Sequence, residues 1–287
     1  MGAAESKHAM KIRHFLYNAF LIEDEETKIA IDPGLNLWIF KLNSLIPKTE
    51  WKDITHVLVT HGDPDHYWQA DRVARTANAP LILSKPMVKQ AEGATYILGP
   101  RRRGLQFVPY AGKVFSLDVG ESVNFNGIQI QGLLTIHGPI ELRIFGLKQR
   151  KAPGPEERVG FGSIGFKIQI KNKTLVNLGD SLLQREWTGL EPDVLMLPIG
   201  GLGKHTWTMD ANEALEAVKL ISPKLVIPCH YSVPFLWKKR MCPVDEQQFK
   251  RKIEELGIEC KIMRYGDTIE IKNNHVNYRS GSSPQES

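Results

Sequence analysis

The six residues His61-Gly62-Asp63-Pro64-Asp65-His66 set two imidazoles and two carboxylates behind a short apolar run. Imidazole nitrogen and carboxylate oxygen are donors for divalent transition metals, so the block offers four candidate ligands for metal-assisted chemistry. In extended backbone, residues i and i+2 point to the same side, so His61 and Asp63 can share one ion. Pro64 then turns the chain, and Asp65 and His66 open the next helix, aimed at a neighbouring position. Gly62 leaves room for an ion to approach the backbone.

Four further residues share this context. Asp32 ends "KIAID", His137 ends "IQIQGLLTIH", Asp180 ends "LVNLGD" and His230 ends "KLVIPCH". Each follows an apolar β-like run and precedes Gly, Pro or a small or polar residue. The carboxyl ends of strands along one sheet edge are where such side chains converge on a site. One histidine in that setting reads as a satisfied core residue. Five such positions in order read as a metal centre.

The elements that must position these residues follow from hydrophobic periodicity. "KIRHFLYNAFLIEDEETKIAIDPG" reads as a β-hairpin turning at Glu23–Glu26, "ITHVLVTH" as a buried strand, "YWQADRVARTANA" as a helix and "APLILS" as a strand. From Leu105 to Val176 short β-like runs alternate with glycines. After them come a strand at "PDVLMLPIGG", a helix at "TMDANEALEAVKLIS" with Thr208 as its N-cap, a strand at "KLVIPCHY" and an amphipathic helix at "VDEQQFKRKIEELG". Strand-rich halves with helices toward their ends suggest an α/β fold of two face-to-face sheets with helices outside, a four-layer αββα sandwich. The whole chain, 1–287, is expected to form one domain. Residues 1–10 read as a leader or an addition ahead of a start at Met10, and 273–287 as a flexible tail. Two segments, 35–51 (apolar) and 146–160 (charged, rich in Pro and Gly), read as inserted loops that could shape an opening.

The motifs resemble those of metallo-β-lactamase-fold hydrolases. Asp32, the His61–His66 block, His137, Asp180 and His230 match that family's five motifs in order, over nearly the whole chain from about Ile12 to Ile271. "IGGLGKHTWTMDANEALEAVKLISPKLVIPCHY" is similar to the group containing ascorbate-6-phosphate lactonase. The early hairpin matches too, except that Asn18-Ala19 stands where that group often has His-Ser or His-Ala. The resemblance implies two divalent metal ions: His61, Asp63 and His137 would hold one, Asp65, His66 and His230 the other, with Asp180 bridging and Asp32 orienting the histidine block.

The family block reads HxHxDH, so Asp63 is a departure. Each ion would then meet two histidines and one carboxylate, a set that suits iron or manganese while leaving zinc acceptable. The implied reaction is hydrolysis of an ester, lactone or phosphodiester by a hydroxide bridging the two metals, with Asp65 in the catalytic centre. His205, in the loop before the "TMDANEALEAVKLIS" helix, is a candidate substrate contact and proton donor to the leaving group. Arg101, Arg102 and Arg103 are candidate contacts for an anionic group. Cys229, beside His230, reads as a buried strand residue rather than a nucleophile. Rival readings are an iron-dependent oxidoreductase or oxygenase on the same site, a phosphodiesterase or ribonuclease-like nuclease, and a non-catalytic scaffold.

Composition bounds the rest. A net charge of +5 hints at a small anionic substrate, and no nucleic-acid module is visible. No apolar run is long enough to cross a bilayer. Three cysteines cannot form a disulfide framework and fit a reducing cytoplasm. A homo-oligomer is left open.

Overall fold

A computed structural model describes residues 9–33, 46, 48–67, 70–101, 104–144, 147–202, 206–234, 240–272 and 275–281. Two mixed sheets organise them. The first runs, in spatial order, His275–Arg279, Thr268–Lys272, Met10–His14, Phe20–Asp24, Thr27–Ile31, His56–Leu58, Leu81–Ser84 and Val114–Leu117. The second runs Ser122–Phe125, Ile128–Leu133, Gly165–Ile170, Lys173–Asn177, Val194–Pro198, Leu225–Cys229 and Glu259–Cys260. Each sheet starts antiparallel and becomes parallel, from Thr27–Ile31 onward in the first and from Lys173–Asn177 onward in the second.

Side-chain alternation explains the layering. Ile29 and Ile31 join the core between the sheets, as do Val194 and Met196 from the opposite sheet. Their neighbour Ala30 faces outward with Ala70, Val73 and Ala74 of the helix Ala70–Ala77. Leu195 and Leu197 face outward against Ala214, Ala217, Val218 and Ile221 of the helix Ala211–Ile221, and Phe249 and Ile253 of the helix Glu246–Glu254. Every residue of Val194–Pro198 and Leu225–Cys229 is buried, as parallel strands covered on both faces must be. The result is the expected αββα sandwich.

Three expectations need correction. The helix Ala211–Ile221 is capped by Asp210, not Thr208. The Asp210 carboxylate accepts from Asn212 and Glu213 N–H while Glu213 accepts from Asp210 N–H, a reciprocal capping box. Thr208 Oγ1 instead accepts from Ser181 N–H at 3.1 Å and donates to the Ser181 carbonyl at 3.2 Å. The tail is not wholly loose, because His275–Arg279 pairs antiparallel with Thr268–Lys272 as an edge strand. The 146–160 segment is not simply a loop either, since Leu147–Lys151 forms a ribbon with Ile140–Ile144. Of the 35–51 segment, 35–45 and 47 lie outside the described residues; Lys48–Trp51 is a short 3-10 helix whose Trp51 packs against Phe15. Among the described residues no helix is long and apolar enough to cross a membrane.

Candidate metal centre

Parallel strands deliver the polar residues to one edge. Asp32 follows Thr27–Ile31, His61 lies just beyond His56–Leu58, Asp180 just beyond Lys173–Asn177, and His230 directly after Leu225–Cys229. His137 arrives beyond Ile128–Leu133, and Asp65 and His66 sit in the single-turn helix Pro64–Tyr67. Three overlapping groups result: His61, Asp63 and His137; Asp65, His66 and His230; and His61, His66 and Asp180. Within each, one donor atom per residue lies within 4.8 Å of the others. Asp63 Oδ2 stands 3.6 Å from His61 Nε2 and 3.5 Å from His137 Nε2. Asp65 Oδ2 stands 3.6 Å from His66 Nε2 and 3.4 Å from His230 Nε2. Asp180 Oδ2 lies between the two sets, 3.2 Å from His230 Nε2 and 3.8 Å from those of His66 and His137.

The outward nitrogens set which atom faces in. His137 Nδ1 donates to the Gly138 carbonyl at 2.6 Å, and His66 Nδ1 donates to Asp32 Oδ2 at 2.7 Å. Thr60 Oγ1 spends its hydrogen on Asp32 Oδ2 at 2.6 Å, so toward His61 Nδ1, 3.1 Å away, it can only accept. All three rings thus direct Nε2 at the carboxylates. The Nε2 atoms of His61 and His66 and Oδ1 of Asp180 are buried without a hydrogen-bond partner. Leaving such atoms unpaired costs about 1–3 kcal/mol each, and a divalent cation is the group this donor set fits.

Asp32 is the hub behind the block. Its Oδ2 accepts from His66, Thr60 Oγ1 and Asn18 Nδ2, and its Oδ1 accepts from Thr60 N–H at 2.8 Å. Asn18 also exchanges amide hydrogen bonds with Asn177, each at 2.9 Å. On the other side, Gly160 N–H donates to Asp63 Oδ1 at 2.7 Å. Gly160 has φ 53°, and a Cβ there would sit 2.2 Å from His137 Cγ, so only glycine fits. Tyr17, Asp32 and His230 also hold left-handed backbones, with φ of 53°, 45° and 55°. Such strain costs about 1–2 kcal/mol per residue and gathers at functional sites.

Electrostatics differ across the site. Burial pushes Asp63 up to about 6, against the pull of His137. Burial lowers His137, and burial with the neighbouring His66 holds His61 well below its ordinary value. His66 moves the other way: burial opposes protonation, but Asp65, Asp32 and Asp180 outweigh it and raise the ring to about 10. Burial likewise works against the Asp65 anion, yet His66 and His230 hold it well below the usual carboxylate range.

The structure therefore brings together His61, Asp63, Asp65, His66, His137, Asp180 and His230, with Asp32 behind them. Arg101 is not part of that group; its guanidinium donates to Asp71 Oδ2 at 3.1 Å and to the Pro100 carbonyl at 2.9 Å. Arg102, Arg103 and His205 lie outside the described residues. Cys229 is fully buried and burial lifts its thiol well above its ordinary value, which suits a strand residue and not a nucleophile. Sequence reasoning missed Thr60, Gly160, Asn18, Asn177 and Tyr17. Thr60, adjoining His61, carried a local hint, and Asn18 stood out only as a departure from the resembling group's pattern.

Comparison with known proteins identifies the family. A family model described as "Beta-lactamase superfamily domain" matches residues 11–230. A UPF0173 metal-dependent hydrolase of Pelotomaculum thermopropionicum is 32% identical over 269 residues, covering 91% of this chain and 100% of the relative. The chain belongs to the UPF0173 metal-dependent hydrolase family of the beta-lactamase superfamily. Among solved structures, this UPF0173 chain is similar in fold to Igni18, a metallo hydrolase from Ignicoccus hospitalis. That match has a TM-score of 0.66 and 22% identity, over 92% of this chain and 99% of that one. It is also similar to CmlA, a diiron β-hydroxylase from Streptomyces venezuelae, with a TM-score of 0.60 and 12% identity over 95% of this chain and 55% of that one.

Proposed function

We propose that this chain is a hydrolase with two metal ions that cleaves an ester, lactone or phosphodiester bond in a small anionic substrate. One observation carries the reading: the Nε2 atoms of His61 and His66 are buried, unpartnered and turned toward the carboxylates by the bonds behind them. His61, Asp63 and His137 would hold one ion, Asp65, His66 and His230 the second, and Asp180 would be shared. Zinc, manganese or iron bound there would supply a bridging hydroxide as nucleophile and polarise the bond under attack.

The chain's own residues prepare that site. Asp32 keeps His66 Nε2 facing inward, and Gly160 N–H occupies Asp63 Oδ1 so that Oδ2 stays free. The resemblance to the ascorbate-6-phosphate-lactonase group is what keeps a lactone among the candidate bonds. His205 is assigned to the leaving group as proton donor. With Arg101 paired to Asp71, Arg102 and Arg103 are the better candidates for an anionic substituent.

A second reading rests on Asp63. Two histidines and one carboxylate per ion suit iron, which would favour an oxidoreductase or oxygenase. Elemental analysis of protein purified without added metal, beside Asp63→Ala and Asp63→His, separates the cases. The hydrolase reading expects about two zinc or manganese ions per chain, falling toward one in Asp63→Ala and kept in Asp63→His. Iron as the main metal, with oxygen consumption, would favour the second reading. One ion per chain, indifferent to Asp63, would break the two-metal reading.

A further inference from the structure

The core between the two sheets ends in an open cavity at the edge opposite the candidate metal centre. The candidate ligands follow the carboxyl ends of the parallel strands. Glu26, Thr55, Pro80 and Lys113, which line the cavity, stand immediately before the strands Thr27–Ile31, His56–Leu58, Leu81–Ser84 and Val114–Leu117. Its volume is about 520 Å³, within the roughly 300–1,000 Å³ of small-molecule sites. Ile29, Leu58, Ile82 and Leu117 of the first sheet fill the interior above it. Alternation gives the inward position two residues before Leu58 to His56, which lines the cavity and is 8% exposed.

A histidine beside an apolar core needs a use for both ring nitrogens. Thr55 Oγ1 gives its hydrogen to the Lys28 carbonyl at 2.9 Å, so toward His56 Nδ1, also 2.9 Å away, it accepts. Burial lowers His56 to about 4, so the ring is neutral near pH 7 and its free lone pair sits on Nε2. That atom has no partner among the described residues and, unlike Nε2 of His61, is not sealed in. Phe125 meets the imidazole edge-on with centroids 4.5 Å apart, and Phe115, 37% exposed, meets Phe125 at 5.1 Å. The cavity thus combines two aromatic walls with one unused acceptor. Its ends carry opposite charges, Glu26 before the first strand of the row and Lys113 before the last, neither of them paired among the described residues. Two strand spacings, roughly 10 Å, separate His56 from Lys113.

We propose that this cavity binds a small aromatic carboxylate whose ring carries an O–H or N–H. The ring lies against Phe115 and Phe125, its hydrogen goes to His56 Nε2 and its carboxylate meets the Lys113 ammonium. Glu26 at the other end repels the reverse orientation. The site is separate from the candidate metal centre, requires no metal and does not rest on the hydrolase reading.

The probe is 4-hydroxyphenylacetate, titrated calorimetrically into the full-length protein as purified, beside phenylacetate, which lacks the ring donor. Phenylacetate is expected to bind about tenfold more weakly, the worth of one net hydrogen bond. His56→Leu keeps an apolar side chain at the inward position and should bring the two ligands to the same affinity. Lys113→Ala alters an exposed side chain and should weaken both ligands while keeping the difference between them; it decides the matter if melting curves show His56→Leu unfolded. A wild type that binds neither ligand, or binds both equally, would overturn the proposal. Undiminished binding in the variants, or binding abolished by EDTA, would also overturn it by placing the ligand elsewhere, at the metal ligands in the second case.

Discussion

The two halves of the ligand cluster are built by different means. Asp65, His66 and His230 are braced by side chains and strand ends: Asp32, Thr60, Asn18 and Asn177 form one buried network, and the Tyr17 carbonyl clasps His230. Of His61, Asp63 and His137, the last two are braced by backbone, through Gly160 N–H on Asp63 and the Gly138 carbonyl on His137, and only His61 by a side chain, the Thr60 hydroxyl. The electrostatics follow this division. The first half carries its own counter-charge, since His66 is raised to about 10 among Asp65, Asp32 and Asp180. In the second half, burial lifts Asp63 to about 6 and lowers both imidazoles. A centre can thus rest on the sandwich at one side and depend on a loop at the other. On the proposed two-metal reading, the Asp63 half is the one expected to lose its ion first.

The largest effect should come from Asp32→Ala. It strips His66, Thr60 and Asn18 of one shared acceptor inside a fully buried network. Removing one partner of such a buried set costs roughly 3–5 kcal/mol. Urea denaturation should report that loss, and elemental analysis should find the Asp65–His66–His230 half depleted. Gly160→Ala should invert the pattern. Its methyl would press on His137 at a left-handed position, so one ion should be lost while stability falls by about 1–2 kcal/mol. Equal loss from both halves would show that they fill as a unit. The smallest change in metal content is expected from Thr60→Val, which deletes the hydroxyl bond to Asp32 and the acceptor for His61 Nδ1 but leaves the Thr60 N–H bond to Asp32 in place. A charge-assisted bond of this kind is worth about 1.5 kcal/mol, and both ions should remain at neutral pH.

Much of this candidate centre was legible in the chain, because its candidate ligands announce themselves locally. Asp32, His61, Asp180 and His230 each close an apolar run, and a parallel strand buried on both faces needs such a run. The helix Ala211–Ile221 was equally plain from its 3.6-residue spacing. Its cap is Asp210 rather than Thr208, and Asp210 and Glu213 stand at capping-box spacing in the sequence. The edge strand His275–Arg279 was hidden by its polar sequence: an edge strand buries little, so hydrophobicity does not mark it.

The supporting residues were hidden for another reason. Gly160 reaches Asp63 across 97 positions and Asn18 reaches Asn177 across 159, and no local pattern encodes a hydrogen bond at such separations. Sequence alone determined which side chains could bind metal, the strands that end on them and the layering those strands require, because periodicity and donor chemistry are local properties. Only the tertiary structure decided which nitrogen of each histidine faces inward and which glycine stands against His137. Those outcomes depend on what the fold packs against each group, and packing partners are set in space rather than along the chain.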